Sequence, residues 1–366
     1  MLITNNIVKK VGIFKTFKNC KSVNNLLDII TSIESRKEPK KLKMQRKWRP
    51  DLYKWQQINL SKGIRSYKLL SYNILAQDLL VEHLHLYYDI DSKLLRWETR
   101  LNKIKDEIAN IQPDILCLQE MQYNHLKELV HNLSSVGKNP KFEYVFKKKT
   151  GTRSDGCAII YDRNKFKIMS EQCVEYYADG ISTLNRENIG LMVKFQPLED
   201  TSMPFVVATT HLLYNPRRED VRISQVNKLI RAIIDFSSNP LLTGRLPVIL
   251  TGDFNFTPNS RAFQILTAKR KFKTNSDESE VNQLSDDFFQ MNAIDFENTY
   301  GASTYQDEWI TVDYILLSST EKNTNSIRIN SAYKLPSVEQ CWRNGKIPNT
   351  IIGSDHFSLA IQFSLH

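Results

Sequence analysis

Polar side chains that could bind a metal ion or a phosphate group follow six apolar stretches of this sequence. The most compact case is PVILTGDFN, where Asp253 and Asn255 stand two positions apart directly after an apolar run. Side chains two apart on a β-strand point to the same face. We therefore expect the carboxylate and the amide to reach into one site, with Phe254 turned back into the core.

The other five stretches also carry polar residues, which are, in chain order, Asn73, Gln119 with Glu120, Thr210 with His211, Asp313, and Asp355 with His356. Each of these residues has an ordinary explanation when it is taken singly. A Glu after an apolar run is more often a helix cap, and a His in a strand is more often a hydrogen-bonded core residue. Six polar strand ends on one rim of the sheets would instead build an acidic pocket, with the carboxylates of Glu120, Asp253, Asp313 and Asp355.

Such a pocket predicts a metal ion. Several carboxylates in one place repel one another unless a positive charge lies among them. Oxygen ligands without Cys fit a hard cation, Mg²⁺ or Mn²⁺, rather than structural zinc. Because Mg²⁺ held by a few carboxylates usually keeps waters and meets substrate phosphates, the pocket predicts metal-assisted phosphoryl transfer to water.

Short strand-like runs dominate the rest of the chain. They are β-branched or aromatic and bounded by polar, Gly or Pro residues, from YKLLSYNIL near the start to HFSLAIQFSL at the end. Helical spacing occurs in RWETRLNKIKDEIANI and in REDVRISQVNKLIRAIIDF. Strands outnumber helices and several follow one another directly, so the pattern favours a mixed sheet sandwich between helices over a doubly wound parallel fold.

The net charge of +10 comes from one end of the chain. Residues 1–54 hold 14 Lys and Arg against 4 Asp and Glu, whereas residues 55–366 hold 36 of each. Clustered Lys and Arg displace counterions from a polyanion, so this segment could touch RNA or importin, and a solvated tail explains it equally well. We expect a basic N-terminal arm over 1–54, either flexible or a targeting segment, and a single catalytic domain over 55–366.

Neither a membrane span nor a secretory signal is evident in the sequence. No apolar run approaches the roughly 18 residues of a span, and the N-terminus lacks the apolar core of a signal peptide. Five Cys without regular spacing indicate reduced intracellular thiols. We expect a cytoplasmic protein with no membrane partner; a nuclear location stays open, as does mitochondrial import through the Lys-rich, Arg-poor N-terminus.

Several motifs together resemble one family of enzymes. SYNIL, CLQEM, DGCAIIY, TTHLLYNPRREDVR, TGDFN, VDYI and SDHF occur in the order expected for the endonuclease/exonuclease/phosphatase superfamily. RWETRLNKIKDEI resembles a helix of its poly(A)-nuclease branch, and HLLYNPRR, where that branch tends to have His-x-x-Trp-Asp-Pro, is most similar to the Angel proteins. The resemblance implies an α/β (α+β) fold: a four-layer sandwich of two mixed, mainly antiparallel β-sheets flanked by helices.

For the metal and the attacking water, the resemblance implies individual roles. Glu120 would be the principal ligand of Mg²⁺, with Asn73 beside it, and Asp355 could serve a second metal. One or two ions are expected, and Mn²⁺ could substitute. Asp253 would orient or deprotonate the attacking water, and Asn255 would hold that water and a phosphate oxygen.

For the phosphate, the resemblance implies contacts from two histidines. His356 would bond a phosphate oxygen and stabilise the charge that grows in the transition state. Asp313 would bond the far side of that imidazole, which fixes its tautomer and keeps it cationic. His211 and Asn188 would contact the scissile phosphate.

For the terminal nucleotide, the resemblance implies two contacts, and two further residues are candidates. Asn215 and Pro216 would shape the floor beneath it, and Arg218 could contact a phosphate or simply begin the next helix in solvent. Trp309 stands near the position at which deadenylases supply an adenine-stacking Phe, although Glu308 falls at that position by register. A core aromatic is the alternative interpretation of Trp309.

The function implied by the resemblance is hydrolysis of phosphodiesters at the 3′ end of single-stranded RNA. Two reactions stay open: 3′-to-5′ removal of adenylates, and hydrolysis of a terminal 2′,3′-cyclic phosphate as in Angel-type enzymes. The alternatives are a non-catalytic RNA-binding adaptor and a hydrolase of a small phosphorylated nucleotide. The leucine-rich repeats that dock some deadenylases are absent from the sequence, so we expect no such docking domain.

Overall fold

The computed structural model describes most of the expected catalytic domain, in the segments 55–57, 65–134, 141–199, 204–238, 245–271, 288–294, 301–319, 327–333 and 335–366. The basic arm expected over residues 1–54 lies outside the described residues, so that prediction stays untested. Among the helices of the described segments, none is long and apolar enough to cross a membrane.

The described segments contain sixteen strands and six α-helices. The strands are β1 (Trp55–Gln57), β2 (Tyr67–Asn73), β3 (Ile115–Gln122), β4 (Phe142–Lys148), β5 (Asp155–Asp162), β6 (Phe166–Tyr177), β7 (Asn185–Pro197), β8 (Phe205–His211), β9 (Val248–Asp253), β10 (Arg270–Lys271), β11 (Phe288–Ala293), β12 (Thr304–Gln306), β13 (Glu308–Ile310), β14 (Asp313–Ser319), β15 (Ile327–Tyr333) and β16 (Leu359–Leu365). The helices are α1 (Gln77–Glu82), α2 (Trp97–Ile111), α3 (Tyr123–Ser134), α4 (Glu219–Ser237), α5 (Arg261–Thr267) and α6 (Val338–Asn344). Short 3-10 helices cover Leu84–Tyr87 and Ser92–Leu95.

Two seven-stranded sheets and one small hairpin account for these strands in the described part of the chain. The first sheet has the order β1-β15-β16-β2-β3-β5-β4, the second has the order β10-β11-β14-β9-β8-β7-β6, and β12 pairs with β13. One pair in each sheet is parallel, β2 with β3 and β8 with β9, and the remaining neighbours are antiparallel. The prediction of two mixed, mainly antiparallel sheets is confirmed.

Three apolar clusters hold the layers together. Inward-facing side chains of both sheets, such as Leu69 and Val193, form the cluster between the sheets. Residues of α2 and α3 cover the outer face of the first sheet, and residues of α4 and α5 cover the outer face of the second. Because both faces of each sheet are covered in this way, polar groups reach solvent mainly at the strand ends.

The two long amphipathic helices bury the faces that their sequence periods predict. In α2 the buried positions include Leu101, Ile104, Ile108 and Ile111. In α4 they include Val221, Val226, Leu229, Ile230 and Ile233. An apolar stripe at this spacing turns one side of the helix to the sheet and leaves the other side polar.

Strand pairing brings the polar residues to one edge of the sandwich. In the parallel pairs, Asn73 lies opposite Gln119 and His211 lies opposite Asp253. Asp313 is the first residue of β14, and it also pairs with Asp253 because β14 runs antiparallel to β9. Residues that are far apart in the sequence therefore share one rim.

Candidate active site

Six of the predicted residues form one connected cluster at this rim. They are Asn73, Glu120, His211, Asp253, Asp313 and His356, joined by hydrogen bonds or close ionic contacts. The expectation that every polar group follows a strand was wrong in part, because Asp313 begins β14 and His356 precedes β16. A strand that runs antiparallel to its neighbour brings its start, rather than its end, to the shared edge.

Glu120 lies at a backbone irregularity within β3. Its φ is 57°, in the left-handed region that residues other than Gly rarely adopt. The pairing of β3 with β5 shifts register between Leu118 and Met121. The side-chain N–H of Asn73 donates to Glu120 Oε1 at 3.0 Å, and the backbone N–H of Ala76 donates to Oε2 at 2.9 Å. These two donors fix the carboxylate at the rim.

Asn73 joins the two carboxylates of the cluster. Its amide nitrogen donates to Glu120 Oε1 and to Asp253 Oδ2, both at 3.0 Å. Its Oδ1 accepts from the backbone N–H of Leu75 at 3.0 Å. This geometry fits a residue that positions both carboxylates, and the predicted role of Asn73 as a metal ligand stays a prediction.

Asp253 lies at the end of β9, where the chain passes close to β8. Gly252 has a φ of 151°, and a Cβ on it would stand 2.2 Å from the carbonyl oxygen of Thr210. Only glycine fits this close approach without a shift of the backbone. The Asp253 side chain is 2% exposed, so its charge is almost entirely removed from water.

The structure corrects the geometry expected for Asn255. The strand stops at Asp253, and Asn255 follows it in a turn with a φ of 52°. Asp253 Oδ1 accepts the backbone N–H of Asn255 at 3.0 Å, and the side-chain amide of Asn255 donates to the carbonyl of Leu212 at 3.0 Å. A tight turn, not strand alternation, therefore brings the two residues together. The burial predicted for Phe254 is confirmed.

His356 and Asp313 form a buried pair. Nδ1 of His356 lies 2.8 Å from Oδ2 of Asp313, and Nε2 lies 3.7 Å from Oδ2 of Asp253. Burial alone would lower the pKa of His356, but the carboxylates of Asp313 and Asp253 raise it well above its ordinary value. His356 is therefore a cation at neutral pH, and its Nε2 faces the cluster.

His211 lies on the other side of Asp253 and is neutral. Its Nε2 is 3.6 Å from Asp253 Oδ2 and 4.0 Å from Glu120 Oε1. Burial, followed by the positive charges of Lys149 and His356, lowers the pKa of His211 well below its ordinary value. Its buried Nδ1 has no hydrogen-bond partner among the described residues.

The positive charges of His356 and Lys149 do not offset the burial of two carboxylates in the cluster. Burial, followed by the charge of Asp313, raises the pKa of Asp253 to about 7. Burial, followed by the charge of Asp355, also raises the pKa of Glu120. A divalent cation between these groups would supply the missing charge.

A metal ion fits one set of these residues better than another. Ligand atoms of Glu120, His211 and Asp253 lie within 4.8 Å of one another, as do ligand atoms of Asp253, Asp313 and His356. The second set contains a cationic imidazole, which cannot act as a metal ligand. The first set combines two carboxylates with a neutral imidazole; the carboxylates suit a hard divalent ion such as Mg²⁺, whereas an imidazole is more typical of ions such as Zn²⁺.

Asp355 lies beside the cluster rather than within either set of close ligand atoms found in the described residues. Its Oδ2 accepts the hydroxyl of Tyr87 at 2.6 Å. Its charge contributes to the raised pKa of Glu120, which places it close enough to interact electrostatically. That Asp355 binds a second metal ion stays a prediction.

Asn188 is buried behind His211. Its amide nitrogen donates to the backbone carbonyl of His211 at 3.1 Å, and its Oδ1 accepts from the side chain of Gln225 at 3.2 Å. Both ends of the amide are thus bonded to protein groups. Asn188 therefore helps to position the end of β8. Its contact with the scissile phosphate stays a prediction.

The loop after β8 presents Asn215 and Pro216 at the surface, and their contact with the terminal nucleotide stays a prediction. The buried guanidinium of Arg222 donates to the carbonyls of this loop, including that of Asn215 at 2.6 Å and that of Pro216 at 3.1 Å. Arg218 lies just before α4 and forms an ion pair with Asp220 at 3.0 Å. Phosphate binding by Arg218 stays a prediction.

The structure contradicts the stacking role proposed for Trp309. This side chain is 6% exposed and belongs to the cluster between the sheets. It stacks on Phe357 with ring centroids 5.9 Å apart and meets Tyr305 edge-on at 5.2 Å. The indole fills the core beneath the β12–β13 hairpin, because its strand position turns it inward while Glu308 is exposed.

Two buried cations near the site were not predicted. Arg100 donates through its guanidinium to the carbonyls of Ile74 and Leu75, each at 2.9 Å, and to that of Gly353 at 3.1 Å. Lys149 is buried with Asp155, its Nζ 2.6 Å from Oδ2. The RWETR motif marked the helix that carries Arg100, whereas KKKTGTR is typical of a solvated surface and gave no signal.

Comparison with known sequences gives a consistent result. The endonuclease/exonuclease/phosphatase family matches residues 70–356. Protein angel of Drosophila melanogaster is 43% identical over 303 residues, which cover 82% of this chain and 81% of that protein. Protein angel homolog 2 of Danio rerio is 37% identical over 207 residues, which cover 56% of this chain and 36% of that protein. The chain therefore matches only about a third of this second relative.

Comparison with solved structures finds the same fold. The crystal structure of ANGEL2, a 2′,3′-cyclic phosphatase, in complex with adenosine-2′,3′-vanadate has a TM-score of 0.71 and 27% identity. The match covers 86% of this chain and 98% of that chain. It confirms the expected fold.

Proposed function

We propose, since the chain belongs to the endonuclease/exonuclease/phosphatase family, that it is a divalent-metal-dependent hydrolase acting on the 3′ end of single-stranded RNA. Its substrate is a terminal 2′,3′-cyclic phosphate, in which one phosphorus atom bridges two ribose oxygens. The observation that carries this choice is the complex of ANGEL2 with adenosine-2′,3′-vanadate. The vanadium there stands in for the phosphorus of such a substrate.

Asp253 is suited to hold the attacking water. Its Oδ2 lies between the Nε2 atoms of His211 and His356, at 3.6 and 3.7 Å. Because burial raises its pKa to about 7, the carboxyl group can accept a proton near neutral pH. Asn73 and the backbone N–H of Asn255 hold the carboxyl group in one orientation.

His356 is suited to bind the phosphate. As a cation it donates from Nε2, and the bond from Nδ1 to Asp313 fixes the plane of the ring. A donor that is already oriented stabilises negative charge as it develops, without reorganisation during the reaction. Its proton is also available to the ribose oxygen that leaves.

Glu120 would be the ligand of the metal ion, which we propose to be Mg²⁺, with Mn²⁺ as a substitute. The ligand atoms of Asp253 and His211 lie within 4.8 Å of that of Glu120, so both side chains would face the ion across the water that Asp253 holds. When bound, the ion supplies positive charge to the phosphate oxygens and lowers the pKa of a coordinated water. Glu120 is held ready by Asn73 and by the backbone of Ala76. Asp355 is the group that could serve a second ion.

Release of phosphate consumes two water molecules. The first water opens one of the two P–O bonds, and the departing ribose oxygen takes a proton. The second water attacks the resulting monoester and releases inorganic phosphate, which leaves both ribose hydroxyls free. One site suffices for both steps if the monoester keeps the same contacts.

Two RNAs of the same sequence test this proposal. One ends in a 2′,3′-cyclic phosphate and the other ends in oligo(A) with a free 3′-hydroxyl, and each is incubated with the protein and Mg²⁺. We expect phosphate release and a 2′,3′-diol from the first RNA and no change in the second. Asp253→Asn is the matched inactive control, because it keeps the size of the side chain and removes the proton acceptor.

Other outcomes point to other functions. A ladder of shortened products from the oligo(A) RNA would indicate removal of adenylates, which the burial of Trp309 makes less suited to this site. Phosphate release from a small nucleotide alone would indicate a nucleotide hydrolase. If the wild type and Asp253→Asn behave identically on both RNAs, the proposal is wrong and an RNA-binding adaptor is favoured.

A further inference from the structure

A row of aromatic side chains lies on the surface beside the β12–β13 hairpin. Trp342 of α6 is 55% exposed and Tyr88 is 81% exposed. The ring centroids of Trp342 and Tyr305 are 5.9 Å apart, and Lys346 Nζ lies 5.0 Å from the Tyr305 centroid and 5.7 Å from the Tyr88 centroid. We call these four residues the aromatic row. Exposed aromatic rings collected in one place are a candidate binding surface.

The aromatic row lies close to Asp355 and His356. Tyr88 follows Tyr87, whose hydroxyl donates to Oδ2 of Asp355 at 2.6 Å. Tyr305 follows Thr304, whose hydroxyl donates to the backbone carbonyl of Asp355 at 2.8 Å. Two members of the row are thus each one residue away from a group that contacts Asp355, directly beside the catalytic histidine. The row therefore lies beside the segment that carries Asp355 and His356.

We propose that the aromatic row binds the bases of the RNA immediately upstream of the 3′-terminal nucleotide. Single-stranded RNA is gripped by unpaired bases that stack on aromatic rings, with little dependence on sequence. The exposed rings of Tyr88 and Trp342 are two such stacking positions. The inference rests on the proposed function, because an RNA end held in the pocket brings the upstream bases to the row.

Lys346 organises the row before any base arrives. Its ammonium contacts the rings of Tyr305 and Tyr88 and forms an ion pair with Asp89 at 2.9 Å. Rings that are already oriented lose less freedom on binding. Since Asp89 balances the charge of Lys346, the row acts through stacking, and its contribution should depend only weakly on salt.

Substrates of two lengths test the inference. One is a mononucleoside 2′,3′-cyclic phosphate, and the other is a short single-stranded RNA with the same cyclic end. We expect Trp342→Ala and Tyr88→Ala each to raise KM for the RNA by about tenfold, as for the loss of one stacked base. We expect kcat, and KM for the mononucleotide, to stay unchanged, and Trp342→Phe to retain most of the affinity because it keeps a ring.

Met169→Ala is the matched control, since Met169 is also 55% exposed but lies on β6, away from α6 and the hairpin. Met169→Ala should change neither the KM for the RNA nor the KM for the mononucleotide. Turnover of neither substrate by the wild type would contradict the proposed function itself. Turnover of both, with KM for the RNA unchanged in both alanine variants, would overturn the aromatic row alone. The aromatic row would also be overturned if the wild type had the same KM for the RNA and for the mononucleotide.

Discussion

The regions around His211 and His356 face each other across Asp253. Both rings are buried, and both place Nε2 within 3.7 Å of the same carboxylate oxygen. His356 has Asp313 on its far side and is cationic, whereas the far nitrogen of His211 lacks a partner in the described part of the chain and this ring is neutral. The carboxylate behind His356 favours its charged form, whereas burial and the charges of Lys149 and His356 favour the neutral form of His211. The two histidines therefore offer different chemistry at the same carboxylate, one as a charged donor and the other as a neutral imidazole.

The same two regions also differ in how their backbones are supported. Arg100 bonds the carbonyls of Ile74, Leu75 and Gly353, and so ties the loop after Asn73 to the segment before His356. Its guanidinium is fully buried, and burial lowers its pKa to about 10, so it remains charged at neutral pH. Arg222 supports the loop after His211, whose carbonyls lie near solvent.

The largest expected effect comes from removing the carboxylate behind His356. Asp313→Asn keeps the volume but removes the charge that fixes the tautomer and the proton of the ring. We expect kcat on a cyclic-phosphate RNA to fall by about 10³–10⁴, as when the carboxylate behind a catalytic histidine is neutralised. Steady-state kinetics measure this, and Asp235→Asn on the exposed face of α4 should leave kcat unchanged. A decrease below about tenfold would remove the distinction drawn between the two histidines.

The two supporting arginines should differ in their effect on stability. Arg100→Met leaves several buried carbonyls unsatisfied, and we expect it to lower the free energy of unfolding by about 3–5 kcal/mol. Arg222→Met should lower it by about 1–2 kcal/mol, because water can reach the carbonyls of the exposed loop.

Urea unfolding at neutral pH measures both values. Arg163→Met, which breaks an exposed ion pair with Glu143, is the control and should cost less than about 1 kcal/mol. Equal losses for Arg100→Met and Arg222→Met would mean that the two loops are supported alike.

The smallest effect concerns pH and has opposite signs for the two rings. The folded pKa of His356 lies above the unfolded value of about 6.5, so its contribution to stability is complete below that pH and is lost as pH rises through the folded value. The folded pKa of His211 is lowered, so its contribution is present above about pH 6.5 and is lost as pH falls. Each histidine changes the free energy of unfolding by at most about 1.4 kcal/mol per pH unit.

Urea unfolding with a chelator, from about pH 5 to about pH 9, measures these slopes. His211→Asn should flatten the acidic side of the profile, and His356→Asn should flatten the alkaline side. If both variants flatten the same side, the assignment of opposite charges to the two rings is wrong.

Much of the site could be predicted because its residues are chemically unusual where they stand. A single carboxylate after an apolar run, such as Glu120 or Asp253, has an ordinary explanation, but several of them on one rim repel one another and predict a metal ion. The same argument identified Asp313 and His356. The burial of Arg222 and Lys149 was not predicted, because a charged residue in a helix or in a run of lysines is usually solvated.

The failures at Asn255 and Trp309 have a common cause. The sequence shows an alternating pattern but not where the alternation stops. The chain leaves β9 directly after Asp253 and turns. The rule that side chains two apart point to the same face holds only within a strand, so it does not apply at Asn255. Trp309 lies on a three-residue strand, where one step in register decides between surface and core.

The amino-acid sequence by itself determined the layers and the identity of the acidic and imidazole groups, because hydrophobic period and residue type are local properties. Only the tertiary structure decided the charges of His211 and His356 and the orientation of Glu120. These depend on burial and on partners brought from distant strands: Asp313 behind one ring, Asn73 across to Glu120. Electrostatic interaction depends on distance in space and on exclusion of water, neither of which can be read from separation along the chain.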